Sequence, residues 1–166
     1  MFNKSVSLAC IFAWLPIAAF AQGPGLGVQP YTFIAPGAVS GGGTTLHVGG
    51  GLDVIHRSGL GVGTELGWAG PFPDGFDYGI GLLSVTGSYR WLLGDSVVPF
   101  VNAGASSAVL RGSGRASHVG GGLEYWVHEG FGLRLELRDH IPSNEDAHLW
   151  GARIGFVWAP GGRVAR

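Results

Sequence analysis

Between residues 131 and 138 the chain alternates without a break. Phe131, Leu133, Leu135 and Leu137 stand at odd positions, and Gly132, Arg134, Glu136 and Arg138 at even ones. Successive side chains of a β-strand point to opposite faces, so this segment predicts a strand with one apolar face and one charged face. No helix can be laid on it, because a 3.6-residue period would mix the two sets. The same two-residue beat recurs at 150–158, where Trp150, Ala152, Ile154, Phe156 and Trp158 oppose Gly151, Arg153 and Gly155.

Upstream runs keep the phase. Leu46, Val48, Leu52 and Val54 oppose His47, Gly49, Gly51 and Asp53; Leu60, Val62, Leu66 and Trp68 oppose Gly61, Gly63, Glu65 and Gly67. Leu83, Val85, Tyr89 and Trp91 oppose Ser84, Thr86, Ser88 and Arg90, while Val119, Leu123, Tyr125 and Val127 oppose Gly120, Gly122, Glu124 and Trp126. The run at 97–110 is less regular, with Phe100 on the polar side, and a first strand near 29–35 is the least defined. Short breaks at Arg57-Ser58-Gly59, Gly94-Asp95-Ser96 and His128-Glu129-Gly130 recur at roughly 36-residue intervals. They alternate with longer breaks near 37–43, 70–79, 111–116 and 139–147. Eight strands joined by alternating short and long connections predict an all-β, eight-stranded antiparallel up-and-down barrel.

Two barrels satisfy this pattern. A soluble one of the lipocalin kind turns the apolar face inward, and a transmembrane one turns it toward lipid. Glycine, 32 of 166 residues, favours the second. The charged face carries about eleven strand glycines against about four on the apolar face, and an eight-stranded barrel has room inside only for packed side chains. Residues without side chains therefore belong on a crowded inner wall. That wall would hold Asp53, Glu65, Glu124 and Glu136 against Arg90, Arg134, Arg138 and Arg153, a balance that a poorly hydrated interior requires. The network reads either as a salt-bridge core or as the lining of a narrow ion path, the core being the expected role. Tyr31, Trp68, Tyr89, Trp91, Tyr125, Trp150 and Trp158 lie near strand ends and are expected to form lipid-facing aromatic girdles.

Residues 1–21 read as a cleaved secretory signal peptide: Lys4, an apolar stretch from Val6 to Phe20, and an Ala19-Phe20-Ala21 cleavage site. A retained membrane anchor and acylation at Cys10 are the less favoured readings. The expected mature part, 22–166, is one barrel domain with a short C-terminal tail. It has no cysteine and no lysine, so disulfides and phosphate-loop chemistry are excluded. Its nine arginines against 11 carboxylates show no basic stripe for nucleic acid. His47, His56, His118, His128, His140 and His148 include no close ligand pair, so no metal and no cofactor is assigned.

The Gly-rich alternating strands, the Pro99-Phe100-Val101-Asn102-Ala103-Gly104-Ala105 segment and the Gly132 to Asp139 strand resemble the bacterial outer-membrane β-barrel domain family, the small OmpA/OmpX-like barrels. The resemblance implies residence in the outer membrane of a Gram-negative-type bacterium. It also implies contact with outer-membrane lipid, handling by the barrel-assembly machinery, and surface-protein or host contacts through the loops. A non-catalytic structural or surface-interaction role is the leading expectation. One departure is that Trp158 is followed by residues 159–166, whereas many such barrels end on an aromatic. A second expectation, a lipid-modifying hydrolase, draws on Asp139-His140-Ile141-Pro142-Ser143-Asn144-Glu145, which resembles the His/Ser/Glu set of outer-membrane lipid A deacylases. Two residues separate His140 from Ser143, one more than in that motif. The third is a soluble secreted lipocalin-like binding barrel.

Overall fold

The computed structural model describes residues 25–73, 78–92, 96–143 and 147–163. The expected signal peptide, Glu145 and Asn144 lie outside them. Eight strands follow in chain order: β1 (Leu26–Val39), β2 (Thr44–His56), β3 (Leu60–Pro71), β4 (Ile80–Arg90), β5 (Val97–Leu110), β6 (Arg115–His128), β7 (Phe131–Pro142) and β8 (Leu149–Trp158). Each pairs antiparallel with its sequence neighbours, and β1 closes on β8 through Tyr31↔Val157, Ile34↔Ile154 and Val39↔Leu149. Closure matters because an open sheet edge in hydrocarbon would leave backbone groups unpaired. The shortest strand has 10 residues and the longest 14, enough to cross a bilayer core, which needs about 9–11 tilted residues.

The apolar face is outside. Leu133, Leu135 and Ile154 are 37%, 49% and 55% exposed, while Arg134, Glu136 and Arg153 between them are 5%, 4% and 3% exposed. That arrangement is the reverse of a soluble lipocalin-like barrel. The expected glycine role is visible at Gly51, which lies in the ladder between Tyr31 and Glu65. A Cβ there would meet the Tyr31 hydroxyl at 2.5 Å and the Thr64 carbonyl oxygen at 2.5 Å. Without it, the tyrosine crosses the bare backbone and donates a hydrogen bond to Glu65 Oε2 at 2.9 Å.

Strands run further toward the long-loop end than the sequence pattern suggests. Residues 139–142, expected in a loop, continue β7 because Asp139, His140, Ile141 and Pro142 pair with Val119, His118, Ser117 and Ala116. Residues 37–39 likewise belong to β1. At the short-turn end, where both termini of the barrel lie, Val98, Trp126, Val157 and Ala159 pack inward as an apolar floor.

Candidate functional site

The lumen has two storeys. The lower one is the ion-pair network, to which β2, β3, β4, β6, β7 and β8 all contribute. Asp53 binds Arg90 at 2.5 Å and Arg134 at 2.9 Å, and Glu124 meets the same two arginines at 3.1 and 3.8 Å. Glu65 is shared by Arg153 at 2.6 Å and Arg138 at 3.3 Å. Glu136 joins the two groups, with Arg138 at 2.6 Å, Arg134 at 3.3 Å and Arg153 at 3.6 Å. All eight sequence-predicted lumen charges are thus brought together, each at most 5% exposed.

Aromatic rings complete this storey. The Arg134 guanidinium lies 4.5 Å from the Tyr31 ring centre and 4.4 Å from that of Phe100, and Arg153 lies 3.6 Å from that of Phe33. Cation–π contact of this kind strengthens in a desolvated interior. Phe100 falls on the polar side because its inward ring is wanted there.

Tyr31 corrects the expected girdle. It is 4% exposed and faces the lumen, because β1 turns Tyr31 and Phe33 inward over Gly51 and Gly49 and Thr32 and Ile34 outward. The other girdle residues are on the outer wall. Tyr89, Trp91, Tyr125 and Trp158 gather at the short-turn end, the first two in edge-to-face contact at 5.0 Å. Trp68 and Trp150 stand toward the long-loop end. Phe131 stacks on Phe156 at 5.5 Å, adding two rings to the lower band that strand-end position alone did not single out.

The upper storey was not foreseen. His47 from β2, His118 from β6 and His140 from β7 converge, with ring centres 5.9 Å apart for His47 and His140 and 5.4 Å for His118 and His140. Each occupies a lumen-facing position in the same parity as the charges of its strand, on the long-loop side of them, and that parity was the available signal. His118 is held by Ser106 at Nδ1 and Thr86 at Nε2, both at 3.1 Å, and Ser106 meets Ser84 at 2.8 Å. His140 has no protein partner at either ring nitrogen, and His47 has none at Nε2. Among the described residues, no three His, Cys, Asp or Glu side chains are placed to hold a metal ion.

The histidine–serine constellation does not assemble around His140. Its ring points into the lumen and bonds to no hydroxyl, while the Ser143 backbone N–H donates to the Arg115 carbonyl. Asp139 instead pairs with His148, Oδ2 to Nδ1 at 2.6 Å, and His148 stacks on Trp150. That contact buries Asp139 although it lies in the outward phase of β7.

A closed barrel with an apolar outer wall and a paired ionic lumen defines an eight-stranded antiparallel up-and-down transmembrane β-barrel. No protein-family model matches the sequence, and no curated protein matches it at the sequence level. Solved structures do match in fold. The N-terminal β-barrel domain of Pseudomonas aeruginosa OprF superposes with a TM-score of 0.61 at 18% identity, over 81% of this chain and 97% of that one. Neisserial surface protein A gives 0.62 at 16% identity, over 81% and 96%. The outer membrane enzyme PagL gives 0.54 at 18% identity, over 77% and 98%.

Proposed function

We propose that the protein is a non-catalytic integral outer-membrane barrel with a structural or surface-contact role. Its signal peptide, residues 1–21, is removed on export. The termini and short turns face the periplasm, and the long-loop end faces outward. The carrying observation is the wall itself: apolar toward lipid all round, with a lumen filled by mutually paired charges. That core supports a structural rather than a conducting role for the eight lumen charges. A connection of only four residues, 40–43, joins β1 to β2, which argues for modest surface contacts with proteins or host rather than a large adhesive head. Partners in this reading are outer-membrane lipid and, during biogenesis, the barrel-assembly machinery.

Fractionation tests the reading. The mature protein should sediment with outer membranes and migrate faster on a detergent gel before boiling than after. Release into buffer without detergent would overturn membrane residence. PagL shares the fold, so catalysis is tested separately: ester hydrolysis by purified protein, abolished in Ser143→Ala, would overturn the non-catalytic role.

A further inference from the structure

The cup at the long-loop end is lined by several side chains that keep unpartnered polar atoms. One lobe has a volume of about 460 Å³ and a second about 300 Å³, and both are bounded by Ile80, Leu82, His140, Pro142 and Leu149. These volumes fall at the small end of the range for ligand pockets, about 300–1,000 Å³. The walls are mostly apolar, and the polar groups converge at the bottom, where His47, His140, Arg138 and Arg153 line the larger lobe.

Those four residues are 6%, 6%, 1% and 3% exposed. Each nonetheless keeps an unused polar atom: His47 Nε2, both ring nitrogens of His140, Arg138 Nη2 and Arg153 Nε. The two arginine atoms can only donate, while a neutral imidazole offers one donor and one acceptor, so the arginines set the imbalance. A buried donor left unmade costs free energy, so the cup is short of acceptors. The described lining of both lobes also contains arginine and histidine and no carboxylate. Glu65 and Glu136 lie below, already engaged by Arg134, Arg138 and Arg153.

We propose that the cup is a binding site for a small amphipathic carboxylate. The carboxylate oxygens accept hydrogen bonds from His140 and the arginine edge at the floor, and a hydrocarbon body of a few carbons lies against Ile80, Leu82 and Leu149. Arginine donors left without acceptors select the head, and the apolar wall selects the body. A cationic amphiphile of the same length satisfies the wall and violates the floor. The site depends on the barrel's orientation of side chains and holds whichever membrane the barrel occupies.

Titration of the folded barrel in zwitterionic lipid nanodiscs tests this, using hexanoate and hexylammonium as probes and the His140 imidazole NMR signals as readout. Hexanoate should shift those signals saturably, and hexylammonium should not. His140→Ala, read at backbone amides around Leu82 and Leu149, should weaken hexanoate at least tenfold, and Leu82→Gln several-fold. Heat-modifiable mobility shows that each variant is folded. Absence of a saturable hexanoate shift in the unaltered protein, equal response to hexylammonium, or undiminished affinity in folded His140→Ala would overturn the proposal. The comparison of the two probes needs no variant, so a folding failure in either variant leaves it decisive.

Discussion

The two storeys of the lumen share their walls, yet they differ in what holds their side chains. Below, every charged side chain meets at least one of opposite sign, and the apolar floor closes the end. Above, His118 is fully engaged, but its cross-strand neighbour His140 bonds to nothing. A barrel interior that can pair four arginines with four carboxylates has the means to pair one histidine. The contrast sets a charge network that holds the fold against a histidine layer above it, with Arg138 and Arg153 belonging to the network and to the floor of the cup.

The largest test of that division is Glu136→Ala. It strips a shared partner from Arg134, Arg138 and Arg153 and should destabilise the barrel by about 3–5 kcal/mol, measured by denaturant unfolding in lipid vesicles. An unchanged midpoint would mean that the lower storey is wet and its charges solvated. One residue away, Leu135→Arg probes the opposite face of the same strand. An arginine facing mid-membrane lipid should cost about 2–4 kcal/mol in the same assay. A folded, soluble monomer would contradict the outward placement.

A smaller effect sharpens the lower storey's dependence on glycine. Gly51→Ala puts a methyl group against the Tyr31 hydroxyl and should cost about 1–3 kcal/mol, because the ring must leave Glu65 or the strands must part. The smallest effect belongs above: His140→Ala breaks no hydrogen bond and should stay within about 1 kcal/mol of the parent stability. A loss as large as that of Glu136→Ala would erase the distinction between the storeys.

Much of this was legible from parity. In β7 and β8 one face is apolar and the other charged or bare, so the residues at 131–138 and 150–158 could be assigned to a face before any fold was known. The eight lumen charges follow from the same rule. Their pairing does not, since Asp53 and Arg134 are 81 residues apart and meet only because closure brings β2 across from β7. Tyr31 was misplaced because β1 carries apolar or aromatic residues in both phases, and the bare strand at Gly51 that admits its ring belongs to a neighbour. The histidine layer was hidden for a related reason: its members come from three strands, and no sequence spacing records a convergence across a lumen. Residues 139–142 resembled a loop in composition, but their pairing with β6 made them strand.

The distribution of charge among the strands also bears on how such a chain enters a bilayer. The β7–β8 hairpin carries Arg134, Arg138 and Arg153 on its inner face against Glu136 alone, and the compensating Asp53 and Glu65 come from β2 and β3. A hairpin inserted by itself would drag a surplus of positive charge through hydrocarbon. Crossing strand by strand is therefore disfavoured, and translocation of the whole sheet, rolled far enough for first and last halves to touch, becomes the low-energy route.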